Sequence, residues 1–367
     1  MLGIGPQYYS HIYIWFVAIL SLIVFAPYAT YPQSRLYESG RRPSMGVFLL
    51  ALFFFIFIGT RPVSVYFVDM QGYSHSYNAA LGEQFVFNWA TDNLIFDNLF
   101  SLFASRHIPQ VFFFFSIAFI YFSGMAWACS SMFPRDKIAA FLVCLGAFSS
   151  YSYATNGIKA GAAASIFLVA IAMYVNRKFL WAVVFSLISL GFHHSMIVPI
   201  VAIVVCHFVK NPKWYFAFWG IAFLVAAFHI TFFQQLFAGF ADEQGSGYLT
   251  GTGEHVRRDI LGGFRIDFII YSAAPIVVGW FGIYKKRIIS RAYSFVLNLY
   301  LMTNSIWLLC MYAEFTNRIA YLSWFMLPIV LIYPLLNEEW GNKQYQTFRW
   351  VALGHLGFTL FMRYIFY

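Results

Sequence analysis

Charge is scarce in this chain. Of 367 residues only 10% are Asp, Glu, Lys or Arg, against 61% hydrophobic and 22% aromatic, and the mean hydropathy is +0.69. That balance excludes a water-soluble fold, because too little polar surface exists to cover a globule of this size. Acidic residues are scarcer still, 14 against 23 basic ones, giving a net charge of +9. The basic residues gather in short loops between apolar runs, so they read as topology signals and not as a nucleic-acid surface. Cysteine is limited to Cys129, Cys144, Cys206 and Cys310, all in or beside apolar runs and without C-x-x-C spacing. That pattern suggests neither a disulfide framework nor a zinc site. No D-x-D, G-x-x-x-x-G-K-[ST] or G-x-S-x-G motif occurs, which argues against a nucleotide-sugar enzyme, an ATPase and a serine hydrolase. The first apolar run has no basic segment before it, and Ala26-Pro27-Tyr28-Ala29 is a poor cleavage signal, so the run reads as a retained helix.

What the chain has in abundance is long apolar runs. They predict an all-α polytopic membrane protein with one integral membrane domain over 1–367 and about twelve transmembrane helices: 8–27, 45–60, 110–131, 138–156, 159–175, 179–192, 194–209, 214–236, 265–283, 292–313, 318–336 and 348–366. The stretch around Leu94 to Phe103 is apolar but short and flanked by Asp and Asn, which suits an interfacial or re-entrant helix. Two long connections remain, about 61–109 and 237–264. With the amino terminus outside, most basic residues, among them Arg35, Arg41, Arg42, Arg135, Lys137, Lys285 and Lys286, fall in inward loops, and both long connections are external.

The cations left on the outer side run against that bias. A charge held at membrane depth costs up to about 2.5–3.5 kcal/mol, so each asks for a reason. Arg61 in Gly59-Thr60-Arg61-Pro62 leaves the second helix just ahead of Asp69 and Tyr73; its planar fork suits phosphate oxygens, and the carboxylate suits a sugar hydroxyl or a nearby cation. Lys159 follows the tight turn Thr155-Asn156-Gly157 at the start of a small-residue helix, Gly161-Ala162-Ala163-Ala164-Ser165, where free backbone N–H groups and an ammonium together favour an anion. The small-residue run itself reads as a helix-packing surface. His193 and His194 end another run; one of the two, His193, is the candidate proton-transfer group. Arg265 and Asp267 open one helix after Gly262-Gly263-Phe264, and Glu314, Asn317 and Arg318 open another. Snorkelling and structural ion pairing are the plainer readings for each. Glu314 and Arg318 would pair at i,i+4 on a continuous helix, whereas Arg265 and Asp267, two apart, cannot face each other on one.

In order, T-R-P…D…Y at 60–73, T-N-G-[basic] at 155–159, F-H-H-S at 192–195, G-G-F-R-I-D-F at 262–268 and F-T-N-R-I-A-Y-L-S-W at 315–324 with Tyr333-Pro334 resemble the EpsG family of exopolysaccharide polymerases, which act like Wzy O-antigen polymerases. The resemblance implies a GT-C-like, Wzy-like architecture in the bacterial inner membrane. It also implies an active site facing the periplasm or exterior and metal- and cofactor-free glycosyl transfer between undecaprenyl-diphosphate-linked oligosaccharide donor and acceptor. Membrane lipid is a partner on this reading, as are a chain-length regulator and a flippase; nucleic acid is not. The positions carried over are Arg61, Asp69, Lys159, His193, Arg265, Asp267, Asn317 and Arg318. Lys159-Ala160 departs from the arginine-glutamine of the family pattern, keeping charge but losing the bidentate fork. The expected division of labour has Arg61, Lys159, Arg265 and Arg318 cradling the diphosphate, Asp69 or His193 acting on the acceptor hydroxyl, and Tyr73, Asp267, Glu314 and Asn317 in support. Two rivals fit parts of the pattern. A lipid-oligosaccharide flippase would place its cations at the bilayer midplane, and a polysaccharide O-acyltransferase would need an inward entrance for its acyl donor.

Overall fold

A computed structural model describes residues 3–38, 45–238 and 263–366, and among them every regular element is helical. In chain order the helices are α1 (Tyr9–Phe25), α2 (Met45–Gly59), α3 (Met70–Ala79), α4 (Leu94–Ser105), α5 (Gln110–Met132), α6 (Lys137–Leu145), α7 (Ser150–Thr155), α8 (Ile158–Val175), α9 (Phe179–Phe192), α10 (Ile197–Phe208), α11 (Pro212–Ala227), α12 (Phe232–Ala238), α13 (Ile266–Trp280), α14 (Arg291–Leu309), α15 (Thr316–Trp324), α16 (Leu327–Asn337) and α17 (Gln344–Phe361).

Among the described residues, five helical stretches are long and apolar enough to cross a membrane: Pro6–Ala29, Gln110–Met132, Ile158–Val175, Ile266–Lys285 and Thr316–Asn337. Met45–Gly59, Leu94–Ser105, Phe179–Phe192 and His194–Phe208 are shorter apolar helices. Several of the expected runs are interrupted. The run at 138–156 divides into α6 and α7 around Gly146, and that at 214–236 divides into α11 and α12 around His229, whose φ of 56° cannot continue a right-handed helix. Apolar composition marks a run without marking such breaks. The first long connection is itself largely helical, since it contains α3 and α4; α4 covers the short apolar segment expected to lie at the interface. Most of the second connection, 239–262, lies outside the described residues.

The chain forms two compact units, Met1–His194 with Asn342–Tyr367, and Ser195–Gly341. In the first, α8 packs between α5 and α9, and α2 packs on α5. Small residues permit the approach: a Cβ on Gly124 of α5 would meet the Ser165 backbone of α8 at 3.1 Å. The Ser189 hydroxyl of α9 donates to the Ala163 carbonyl at 2.7 Å, so the small-residue run serves as the packing surface its composition suggests. In the second unit α14 packs against α10 and α11, and α13 packs against α16. Several buried polar side chains there pair across helices: Asn304 accepts from Trp219 Nε1 at 2.8 Å and donates to Ser323 Oγ at 3.0 Å, and Trp324 Nε1 donates to Ser272 Oγ at 2.8 Å.

Candidate functional site

The first unit gathers four of the expected site residues, Arg61, Asp69, Lys159 and His193, into hydrogen-bonded groups at one end of its helices. The turn Thr155-Asn156-Gly157 is the pivot. It ends α7 with the Asn156 N–H on the Ser152 carbonyl at 2.8 Å, and Gly157 then caps α8. Arg61, just past α2, places Nη2 on the Thr155 carbonyl at 3.1 Å and Nη1 on the Ile58 carbonyl at 2.8 Å. Asp69 precedes α3, and its backbone N–H donates to Asn156 Oδ1 at 2.9 Å.

Lys159, in the first turn of α8 as expected, turns its ammonium to a carboxylate the sequence reading passed over: Nζ lies 3.0 Å from Asp97 Oδ1 and 5.0 Å above the Phe96 ring. Asp97 Oδ2 also accepts from the Thr91 hydroxyl, and the Asn93 amide nitrogen stands 3.5 Å away. The Asn93 oxygen accepts the His194 backbone N–H at 3.1 Å and lies 3.4 Å from His193 Nδ1. Imidazole, amide, carboxylate and ammonium thus follow one another from α9 through α4 to α8. Tyr73 stands 5.9 Å from Phe96, ring to ring, on the flank of this series. Asn93 and Asp97 carry a sequence signal of their own: they are four apart at the start of a short amphipathic helix, a spacing that lets the two side chains meet.

Arg61 is deeply buried. It is 3% exposed, and its guanidinium faces two helix-end carbonyls and the rings of Phe67 and Phe114, at 5.4 and 5.7 Å. Burial pushes its pKa down to about 10, opposed by the phenols of Tyr151 and Tyr9, so it stays charged at neutral pH. Nη1 and Nη2 are bound to the ends of α2 and α7, the second of them at the start of the Thr-Asn-Gly turn.

The second unit corrects two geometric expectations. Arg265 and Asp267 do face each other, with Nε 2.9 Å from Oδ1 and Nη2 2.6 Å from Oδ2. Helical spacing does not govern them, because Arg265 sits ahead of α13 at φ −86°, ψ 81°, where the backbone is not helical. Its guanidinium also stacks on Phe268 at 3.7 Å. Glu314 and Arg318 do not share a continuous helix: Phe315, left-handed at φ 50°, separates Glu314 from α15. Arg318 is exposed on the first turn of α15, 4.9 Å from the Phe315 ring, and Asn317 beside it is half-buried. Gly262 of the motif before Arg265 lies outside the described residues.

The model of the EpsG family matches residues 45–363. The chain belongs to the EpsG family. The match runs from the start of α2 to beyond α17 and includes every residue of the first unit's cluster. No curated protein and no solved structure matches the chain. Membership of this Wzy-type polymerase-like family, on a scaffold of apolar helices, makes the chain a membrane protein of polysaccharide-polymerase type.

Proposed function

We propose that this EpsG-family protein polymerises undecaprenyl-diphosphate-linked oligosaccharide repeat units by glycosyl transfer at the periplasmic or outer face of the bacterial inner membrane, crossing that membrane about twelve times. The observation that carries the reading is the series Lys159–Asp97–Asn93–His193, with Asp69 close by, at one end of a helical unit within the family match. The acceptor hydroxyl oxygen attacks the donor's anomeric carbon, the bond from that carbon to the diphosphate oxygen breaks, and undecaprenyl diphosphate leaves. The hydroxyl proton passes to Asp69 or His193. Cationic side chains, Lys159, Arg265 and Arg318 among them, stabilise the departing diphosphate, while Arg61 acts from behind by fixing the turn that carries Lys159. O-antigen, capsule and exopolysaccharide are the product classes this chemistry makes.

The test is deletion of the gene in its native host, followed by gel analysis of the surface glycan and complementation with wild type, Arg318→Ala or Arg265→Ala. A collapse from a ladder to a single repeat unit, restored by wild type and by neither variant, is expected. Normal ladders from both variants would remove the cationic cradle, and loss of even the single unit with lipid-linked repeats trapped inside would indicate a flippase.

A further inference from the structure

We propose that Asp97 is a positioning residue of this transfer site: it aims the Lys159 ammonium and, through Asn93, couples it to His193. The proposal rests on the glycosyl-transfer reading of the same cluster and adds to it the part that holds its cation in place.

Three observations support it. First, Asp97 draws donors from separate places: Lys159 Nζ from α8 at 3.0 Å, the Thr91 hydroxyl from the preceding segment, and the Asn93 amide at 3.5 Å. Second, its helix is fastened locally. Buried Asn98 donates to the carbonyls of Asn88 and Leu94 at 2.9 and 2.7 Å and accepts the Asn88 N–H at 2.8 Å, so the segment bearing Thr91 and Asn93 is tied to α4. Third, α9 comes close to α4 at Gly191; a Cβ there would meet Ile95 Cγ1 at 2.6 Å. That approach brings His193 within reach of Asn93.

The lysine–aspartate pair is open, with side chains 26% and 32% exposed. An ammonium has three donors, so Lys159 can keep Asp97 on one while presenting another to a phosphate oxygen. A lysine stem otherwise samples many rotamers, and tethering one donor removes that freedom before the substrate arrives.

The experiment uses the full chain in lipid nanodiscs, with the lipid-linked repeat unit extracted from a strain lacking this gene as substrate, and reads kcat and KM alongside thermal melting. Asp97→Ala is expected to raise the donor KM about tenfold or more, Asp97→Glu to recover most of that loss, and Asp97→Ala/Lys159→Ala to be no worse than Lys159→Ala alone, because the two act as a unit. Should Asp97→Ala lose its melting transition, the near-isosteric Asp97→Asn carries the same comparison. Wild-type KM and kcat in the aspartate variants, or losses that multiply in the double variant, overturn the proposal while leaving the transferase reading intact. Wild-type protein that joins no repeat units from that extract overturns both.

Discussion

Two cation–aspartate pairs stand at opposite ends of the same unit, and they differ in almost everything except their chemistry. At the end where α1 finishes, Arg35 Nη2 meets Asp136 Oδ1 at 2.6 Å, with the two side chains 5% and 2% exposed. Tyr28 donates to the same oxygen at 2.7 Å, and the Arg35 guanidinium lies 4.0 Å from the Tyr31 ring and 5.9 Å from that of Tyr345. At the end where α1 begins, where Tyr9 packs on Phe57 and Phe67, the Lys159–Asp97 pair is about a quarter to a third exposed. A sealed guanidinium in an aromatic cage ties α1, α6 and α17 together and has no route to a substrate. An open ammonium can take a second anion. The same pair of charges is a fastening in one place and a reagent holder in the other, and burial decides which.

The comparison breaks most sharply at the sealed pair. Asp136→Ala leaves Arg35 buried without its carboxylate, a change that costs about 3–5 kcal/mol; thermal melting in detergent and polymer formation are expected to fail together. At the open pair the two readouts should separate. Lys159→Ala removes an interaction worth at most about 1 kcal/mol, so melting stays near wild type while polymer yield in a complemented deletion strain drops about a hundredfold, the scale of one lost electrostatic stabiliser. A smaller effect is expected from Gly191→Ala, which crowds Ile95 and pushes α9 off α4. Overpacking of this kind costs about 1–3 kcal/mol, and the accompanying fall in polymer should be partly reversed by Ile95→Ala, which no damage independent of that contact would allow. The smallest is Arg106→Ala: the residue is exposed beyond the end of α4 and outside the hydrogen-bonded series, and polymer and melting should both stay within error, with stability within about 0.5 kcal/mol. A large loss there would mean that outward charge in general, and not the Lys159 cluster, supports activity.

The helical class, the membrane setting and the family motifs are read directly from the residues, because apolar run length and motif order are local properties of a chain. Lys159 at the head of α8 was likewise legible, since a Thr-Asn-Gly turn before a small-residue run specifies a helix start. Partners were not. Arg35 counts in the sequence as one more inward charge, yet it is buried on Asp136, a hundred residues away. Arg61 looks like an outward fork for phosphate, yet it is buried, with Nη1 and Nη2 on the ends of α2 and α7. Arg265 and Asp267 pair only because the backbone at Arg265 is not helical, and Glu314 is parted from Arg318 by one left-handed residue.

Sequence alone therefore determined what the chain is made of and where its main apolar helical runs lie, since hydropathy and turn chemistry act over a few residues. Tertiary structure decided which charges are sealed and which are open, because that depends on groups brought together from distant points of the chain. Asp97 belongs to the second kind: its spacing from Asn93 at the head of an amphipathic helix is legible, but it becomes part of the site only when α4 is laid against α8 and α9.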